Sequence, residues 1–471
     1  MITALQSTPL LLLLALLLSG RASPAVACLV ALVAAIPAVA VSLPEGSGLA
    51  GFLGEEALRA LFLAAQPIGV VTGGLLFHAA AADAPRESES PADARGVFVA
   101  CFLGGTFVES VTGFAVGAVF ALASLRGMGV RGPVAGALAL LSLCLVPWGG
   151  LGPGTALGAA LAGQPAQDFA FVTGWFQVPW LLMLVPLGWG LMRRAGLVVT
   201  PAEAVAQMAM MALLGALLLA AHVAGPFEAA GILATGPILL WALWRRNPPR
   251  DAAAWRAAVT VLAPWAGLAC ALLLARSWQG APAWRPYPAL PSVPVTHVAV
   301  VLWCAAGLLL LRLPDGLLRA RAALGRARRP VVAMLLYVLL ARWLAGSGAA
   351  AGLAHALEAS LGVLAPFAMP PLGLLAGLVT GSNVGSNSAL LPVQVALAAA
   401  AGLPALPAAA LHNFAGAAAS GMGFAVVALI CGLLGDGTRP VQVWRLLWPS
   451  FAAILCVGWV GVALMRQAVG G

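Results

Sequence analysis

Apolar runs of about 18–22 residues follow one another from end to end of the chain, each long enough to cross a hydrocarbon core of about 30 Å as a helix. They fall at 3–19, 24–43, 57–79, 169–192, 203–222, 226–244, 255–275, 296–312, 331–345 and 443–465, with a short segment at 351–366 and a polar loop over 80–95. Four further apolar regions are interrupted by glycine, proline and small polar residues: 96–125, 132–163, 367–402 and 403–435. The pattern predicts an all-α polytopic membrane protein in which several helices are broken.

Two interruptions stand out. The first is Gly104-Gly105-Thr106-Phe107-Val108-Glu109-Ser110-Val111-Thr112-Gly113-Phe114, and the second, about 270 residues later, is Thr380-Gly381-Ser382-Asn383-Val384-Gly385-Ser386-Asn387-Ser388. Non-helical polar backbone at membrane depth is tolerated only where protein buries it or it lines a cavity. Two such breaks in corresponding positions of two halves point to a binding site between the halves.

Composition removes the competing classes. At 62% apolar and 8% charged residues, the chain lacks the quarter of charged residues usual in soluble domains. Fifty-five glycines and 34 prolines suit closely packed, broken membrane helices. The net charge of +9 does not imply nucleic acid, because the arginines sit in loops between apolar runs, where the positive-inside rule places them. Cysteines 28, 101, 144, 270, 304, 431 and 456 show no CxxC pair and no companion histidine cluster, so buried free thiols are expected rather than a metal site. No phosphate loop, nucleophile elbow, zinc motif or dinucleotide fingerprint stands at a plausible place, so neither a catalytic residue nor a cofactor is expected. Residues 1–19 lack the basic start of a signal peptide and read as a first spanning helix.

Arg193-Arg194, then Arg245, Arg246 and Arg250, then Arg319 to Arg329 are separated by pairs of helices, so they share one face, the cytoplasmic one. If 96–125 is a re-entrant hairpin, Arg21, Arg86, Arg95, Arg126 and Arg131 join that face, and 367–402 enters from the other. That is an inverted-topology repeat; Arg466 alone falls outside. Twenty residues separate Glu109 from Gly129 and Ser382 from Gly402, and Pro147-Trp148-Gly149-Gly150 falls opposite Ser420-Gly421-Met422-Gly423. The organisation expected is N-terminal helices over 1–56, a first repeat over 57–192, connecting helices and an arginine-rich loop over 193–330, and a second repeat over 331–471. The loop 277–295, with Trp278, Trp284 and Tyr287, belongs on the outer face.

Glu109 is an intramembrane carboxylate, costly by at least ~2.5–3.5 kcal/mol when ionised. Desolvation favours its neutral form, which makes it a candidate proton carrier; a helix-capping role is the alternative. Thr112 and Gly113 complete that break as candidate substrate contacts. Ser382, Asn383, Ser386 and Asn387 offer hydroxyls, amides and a half-helix N-terminus suited to an anion. His412 is a second candidate for proton relay, or a histidine satisfied by backbone. Arg342 is the interior cation best placed to face an anion, unless it snorkels. Gln394, His222, Glu228, His297 and Glu358 read as structural or near-interface.

At these residues the chain resembles the L-lactate permease family of bacterial proton-coupled 2-hydroxymonocarboxylate symporters. Phe107-Val108-Glu109-Ser110-Val111-Thr112-Gly113-Phe114-Ala115 keeps the Glu and the Gly-Phe of that family's first signature. Val379-Thr380-Gly381-Ser382-Asn383-Val384-Gly385-Ser386-Asn387 is similar to its second, Gln394-Val395-Ala396 matches the following Q-x-A, and Asn413 matches a later asparagine. The resemblance covers most of 50–465. It departs at Asn383, acidic in the family, and at Ser420 to Val426, where the family's lysine is lost. Arg342, where the family has an aromatic, is then a replacement cation, and Arg342→Gln is expected to abolish anion uptake. The resemblance implies a carrier in a bacterial inner membrane that takes up L-lactate, glycolate or another small monocarboxylate with a proton. Another small organic anion, sodium coupling and a passive anion channel remain the alternatives, and the oligomeric state is open.

Overall fold

A computed structural model describes residues 2–43, 46, 48–81, 92–246 and 248–470; Arg86 and most of the polar loop expected over 80–95 lie outside them. The helices are α1 (Ile2–Leu18), α2 (Pro24–Ala40), α3 (Leu49–Ala81), α4 (Ala94–Phe98), α5 (Thr106–Thr112), α6 (Val116–Gly127), α7 (Gly132–Leu141) and α8 (Pro153–Leu161). They continue with α9 (Ala166–Arg194), α10 (Pro201–Ala224), α11 (Phe227–Arg246), α12 (Ala252–Ser277), α13 (Val298–Leu310) and α14 (Gly316–Gly346). The last are α15 (Ala349–Leu361), α16 (Met369–Thr380), α17 (Asn383–Ala400), α18 (Ala405–Ser420), α19 (Phe424–Leu434) and α20 (Pro440–Gly470). The chain is an all-α polytopic membrane protein, with ten helices or helix pairs long and apolar enough to cross a bilayer among the described residues.

Both interrupted regions are helical hairpins. In the first, α4 runs through a π-helical turn at Val99–Gly105 into α5, reverses at 113–115 and returns as α6. Gly113 has φ +68° and ψ −167°, a conformation open in practice to glycine alone. Phe114 and Ala115 follow with φ of 59° and 60°, each at a cost of about 1–2 kcal/mol. In the second, α16 ends on Gly381 (φ 61°) and α17 begins at once behind Ser382. Each hairpin is followed by a broken span, α7–α8 interrupted over 142–152 and α18–α19 over 421–423.

The hairpin tips rest on the breaks. A Cβ on Gly113 would lie 3.2 Å from Gly150 Cα, and one on Gly423 would lie 2.8 Å from Gly381 Cα. Backbone meets backbone in both halves. The hairpin bases lie at opposite ends. At the base of the first, Arg126 donates to the Leu433 carbonyl at 3.1 Å and Gly132 N–H to Asp436 Oδ2 at 3.1 Å, so it sits beside the end of α19. The Asp436 carboxyl, hydrogen-bonded first by Thr438, is held below its usual range and stays an ionised acceptor at neutral pH. The base of the second hairpin packs near the end of α8, where Leu161, Ala162 and Leu406 surround Phe169, Leu391 and Ala409. Each broken helix thus finishes beside the other half's hairpin, the geometry of an inverted repeat.

Three expectations change. Spacing set Glu109 against Ser382, but α6 has 12 residues where α17 has 18; Ser382 therefore matches Ala115, each preceding the returning helix. The arginine-rich connector is no loop: α14 has 31 residues, about 46 Å, so its first half projects beyond a bilayer. Its Ala323 and Ala327 pack inward while Arg328 and Arg329 stay exposed. Of the cysteines, 28, 101 and 144 are buried, whereas 270, 304 and 456 are exposed on the surface of their helices.

The loop between α12 and α13 carries the single strand pair described, β1 (Ala283–Trp284) and β2 (Val293–Pro294). Trp284 and Tyr287 pin it to α3 by edge contacts with Phe62 at 5.2 and 5.7 Å.

Candidate functional site

Four interruptions converge. A cavity of about 230 Å³ is lined by Glu109, Thr112 and Gly113 of the first hairpin and Gly149 and Gly150 of the first broken span. From the other half come Ser382 and Asn383 of the second hairpin and Ser420 and Gly421 of the second broken span. The volume is below the ~300–1,000 Å³ of pockets for drug-sized ligands, room for no more than a few heavy atoms. No Arg, Lys or His lines it among the described residues.

Glu109 takes its place for a local reason. Ala115 precedes α6 where a capping side chain is wanted, and alanine has no acceptor. The carboxylate of Glu109, one arm back, supplies it: Oε2 accepts from Gly117 N–H at 3.0 Å and Oε1 from Ala115 N–H at 3.3 Å. The capping alternative is therefore realised, though across the hairpin tip and not through Ser110 or Thr112, whose hydroxyls donate to the Thr106 and Val108 carbonyls. Glu109 is 4% exposed and borders the cavity, so one carboxyl both holds the tip and faces the site. Ser382 caps α17 itself, its Oγ lying 3.5 Å from Gly385 N–H. The first N–H groups of α17 have no intrahelical acceptor and give that edge a positive potential.

Behind the second tip lies a buried amide lattice. Asn413 Oδ1 accepts from Asn383 Nδ2 at 3.0 Å and Asn387 Nδ2 at 2.9 Å. Its own amide donates to Thr155 Oγ1 and Thr173 Oγ1, both at 3.1 Å. Asn387 also donates to the Gly154 carbonyl at 2.8 Å. Asn413 thus ties the second hairpin to α8 and α9 of the other half. The Oδ1 atoms of Asn383 and Asn387 find no donor among the described residues.

His412 lies one shell further out. Nδ1 contacts Gln394 Oε1 at 2.9 Å and Nε2 faces the Ser386 carbonyl at 3.2 Å, while Gln394 donates to the Ala408 carbonyl. His412 and Ser386 are fully buried and neither borders the cavity. They hold α17 against α18.

Arg342 is elsewhere. Its Nε donates to Glu56 Oε2 at 2.7 Å, with a second nitrogen at 2.6 Å, while Arg59 takes Glu56 Oε1 at 2.6 Å. Arg342 stitches α14 to α3 and does not border the cavity, so it cannot stand in for a lost lysine there. The expected result of Arg342→Gln changes accordingly. Arg59 still holds Glu56 Oε1, so leaving Oε2 without its cation costs about 1–3 kcal/mol, read as a lower melting temperature in detergent, and Glu56→Gln added to it restores part of the loss. A double variant no more stable than the single one contradicts this.

Thr155, Thr173 and Glu56 escaped the reading of the sequence, and Ser420 entered it only as part of the second break. Thr155 had a signal, lying five residues past the Gly149-Gly150 break in a second glycine turn; Thr173 and Glu56 had none. A further contact fixes the break: Trp148 Nε1 donates to His222 Nε2 at 3.0 Å and His222 Nδ1 donates to the Leu218 carbonyl at 2.7 Å. Among the described residues no cluster of His, Cys, Asp and Glu is arranged for a metal ion.

No protein-family model matches the chain, and none of the curated proteins does. Among solved structures it is similar to the YdaH transporter of Alcanivorax borkumensis, whose structure is described as revealing an unusual topology. The identity is 19%, over 79% of this chain and 84% of that one, and the TM-score is 0.34. A TM-score of that size does not establish a common fold, and the lactate-permease resemblance stands on its motifs alone.

Proposed function

We propose that this protein is a secondary transporter that takes up a small monocarboxylate, L-lactate or a related 2-hydroxy acid, together with a proton. The observation that carries this reading is the convergence of two hairpin tips and two helix breaks, one of each from either half, on a single small cavity. Broken helices meeting between inverted repeats are how carriers bind solutes at the membrane midplane.

The chemistry of the walls supports an anion with a hydroxyl. The N-terminus of α17 and the Ser382 hydroxyl favour a carboxylate. Asn383 Oδ1, buried without a donor, can accept from the 2-hydroxyl. Glu109 supplies the coupling: two negative charges in one small desolvated site repel, so the anion enters with Glu109 protonated. Proton and anion then cross together, an electroneutral step. Gly113, Phe114 and Ala115 form the hinge beside that carboxyl, and movement of the hairpin-bearing core against the other helices exposes the site alternately.

A passive pore is the reading to exclude, and counterflow excludes it. Proteoliposomes loaded with unlabelled L-lactate are expected to take up external labelled L-lactate transiently above equilibrium, with saturation. A conductive, non-saturable flux with no overshoot contradicts the carrier.

A further inference from the structure

A second and larger cavity, about 460 Å³, opens between α3, α8, the starts of α9 and α11 and the loop leading to α13. It lies at the end of the bundle opposite the arginine-rich half of α14. Pro153 lines both cavities, and the wall between them is made by neighbours facing opposite ways: Val70 and Leu151 border the larger one, Val71 and Gly150 the smaller. In that wall Gly150, Leu151 and Gly152 are consecutive left-handed residues, with φ of 57°, 65° and 71°. Leu151, 1% exposed, is held in a conformation its side chain disfavours. The partition is thin and strained.

The outer cavity is furnished for a ligand. Gln66 Nε2 and Glu228 Oε2 are buried, border it and have no partner among the described residues. Arg276 borders it and forms no ion pair there. His297 accepts the Ala299 N–H on Nδ1 at 3.2 Å, which leaves its proton on Nε2 as a donor. One cation, two neutral donors and one acceptor therefore face one space. Buried polar atoms without partners are rare and call for an explanation.

We infer that this chamber is a first binding station for the transported solute. A 2-hydroxy carboxylate places its carboxylate on Arg276, His297 and Gln66 and its hydroxyl on Glu228, before the 150–152 wall admits it to the central cavity. The class of solute rests on the function proposed above; the chamber itself rests on its own residues.

Two readouts test it. In right-side-out and inside-out proteoliposomes, Arg276→Gln is expected to raise the half-saturating L-lactate concentration from the chamber side about tenfold, a loss of one good contact, and far more than from the opposite side. Glu228→Ala, which removes the acceptor for the hydroxyl, is expected to weaken use of L-lactate more than of pyruvate, which has no hydroxyl. Equal changes from both sides overturn the proposal, as does equal loss of the two acids. The second readout needs no transport. Thr296→Cys, labelled by an impermeant anionic thiol reagent, is expected to react about fivefold more slowly when combined with Arg276→Gln, since local charge sets such rates, and to be protected by L-lactate. Labelling indifferent to both overturns the station. Protection by L-lactate in a protein that transports neither L-lactate nor pyruvate would instead sink the function proposed above and leave the station standing.

Discussion

Glu109→Gln is expected to reduce proton-driven accumulation of L-lactate to the level of empty liposomes while counterflow of labelled for unlabelled acid survives. Glutamine keeps a carbonyl oxygen for the Gly117 N–H, now 3.0 Å from the carboxylate, so the returning arm of the hairpin stays capped. It cannot bind and release a proton. An uncharged, unprotonatable side chain removes the repulsion that excludes the anion, and solute is exchanged without net coupling. Glu109→Ala behaves differently: it strands the Ala115 and Gly117 N–H groups at about 1–3 kcal/mol each, so exchange fails as well. Accumulation by Glu109→Gln equal to that of the natural protein would remove this carboxyl from the coupling mechanism.

The second large effect is expected at Asn413. Its carboxamide is the meeting point of Asn383, Asn387, Thr155 and Thr173. Asn413→Ala strands the amide donor of Asn383, now bonded only to it, at about 1–3 kcal/mol, and it leaves Asn387 alone among these amides to hold the second hairpin to the first half. Uptake is expected to be lost together with exchange, and the melting temperature in detergent to fall. Asn387 still holds the Gly154 carbonyl, so the fold survives the change. A variant that melts as the natural protein does and transports at its rate would show that this lattice does not support the site.

The legible part of this protein is what interrupts its apolar pattern. Gly113, Gly381 and the polar residues around them were visible because nothing else explains small polar residues inside spans of that length, and the cavity forms where they meet. The chemistry of single residues was less legible wherever a partner lies far along the chain. Glu109 as a cap for α6 depends on a reversal at 113–115 whose register no spacing rule supplies, and equal spacing misled by six residues because the returning arms, of 12 and 18 residues, differ in length. Arg342 looked like a free cation because its partner, Glu56, is 286 residues away; a buried charge advertises a need for compensation and not where the compensation comes from. Asn413 entered through a family likeness and is placed by hydrogen bonds to the opposite half. The outer chamber was not legible at all, since Gln66, Glu228, Arg276 and His297 come from four separate segments, each unremarkable by itself.

The most direct test is accumulation driven by a proton gradient alone. Purified protein in liposomes, alkaline inside and acidic outside, with labelled L-lactate at equal starting concentrations across the bilayer, is expected to concentrate the acid inward and to lose that gradient when a protonophore is added. Uptake that stops at equilibrium, indifferent to the pH difference and the protonophore, would contradict the account.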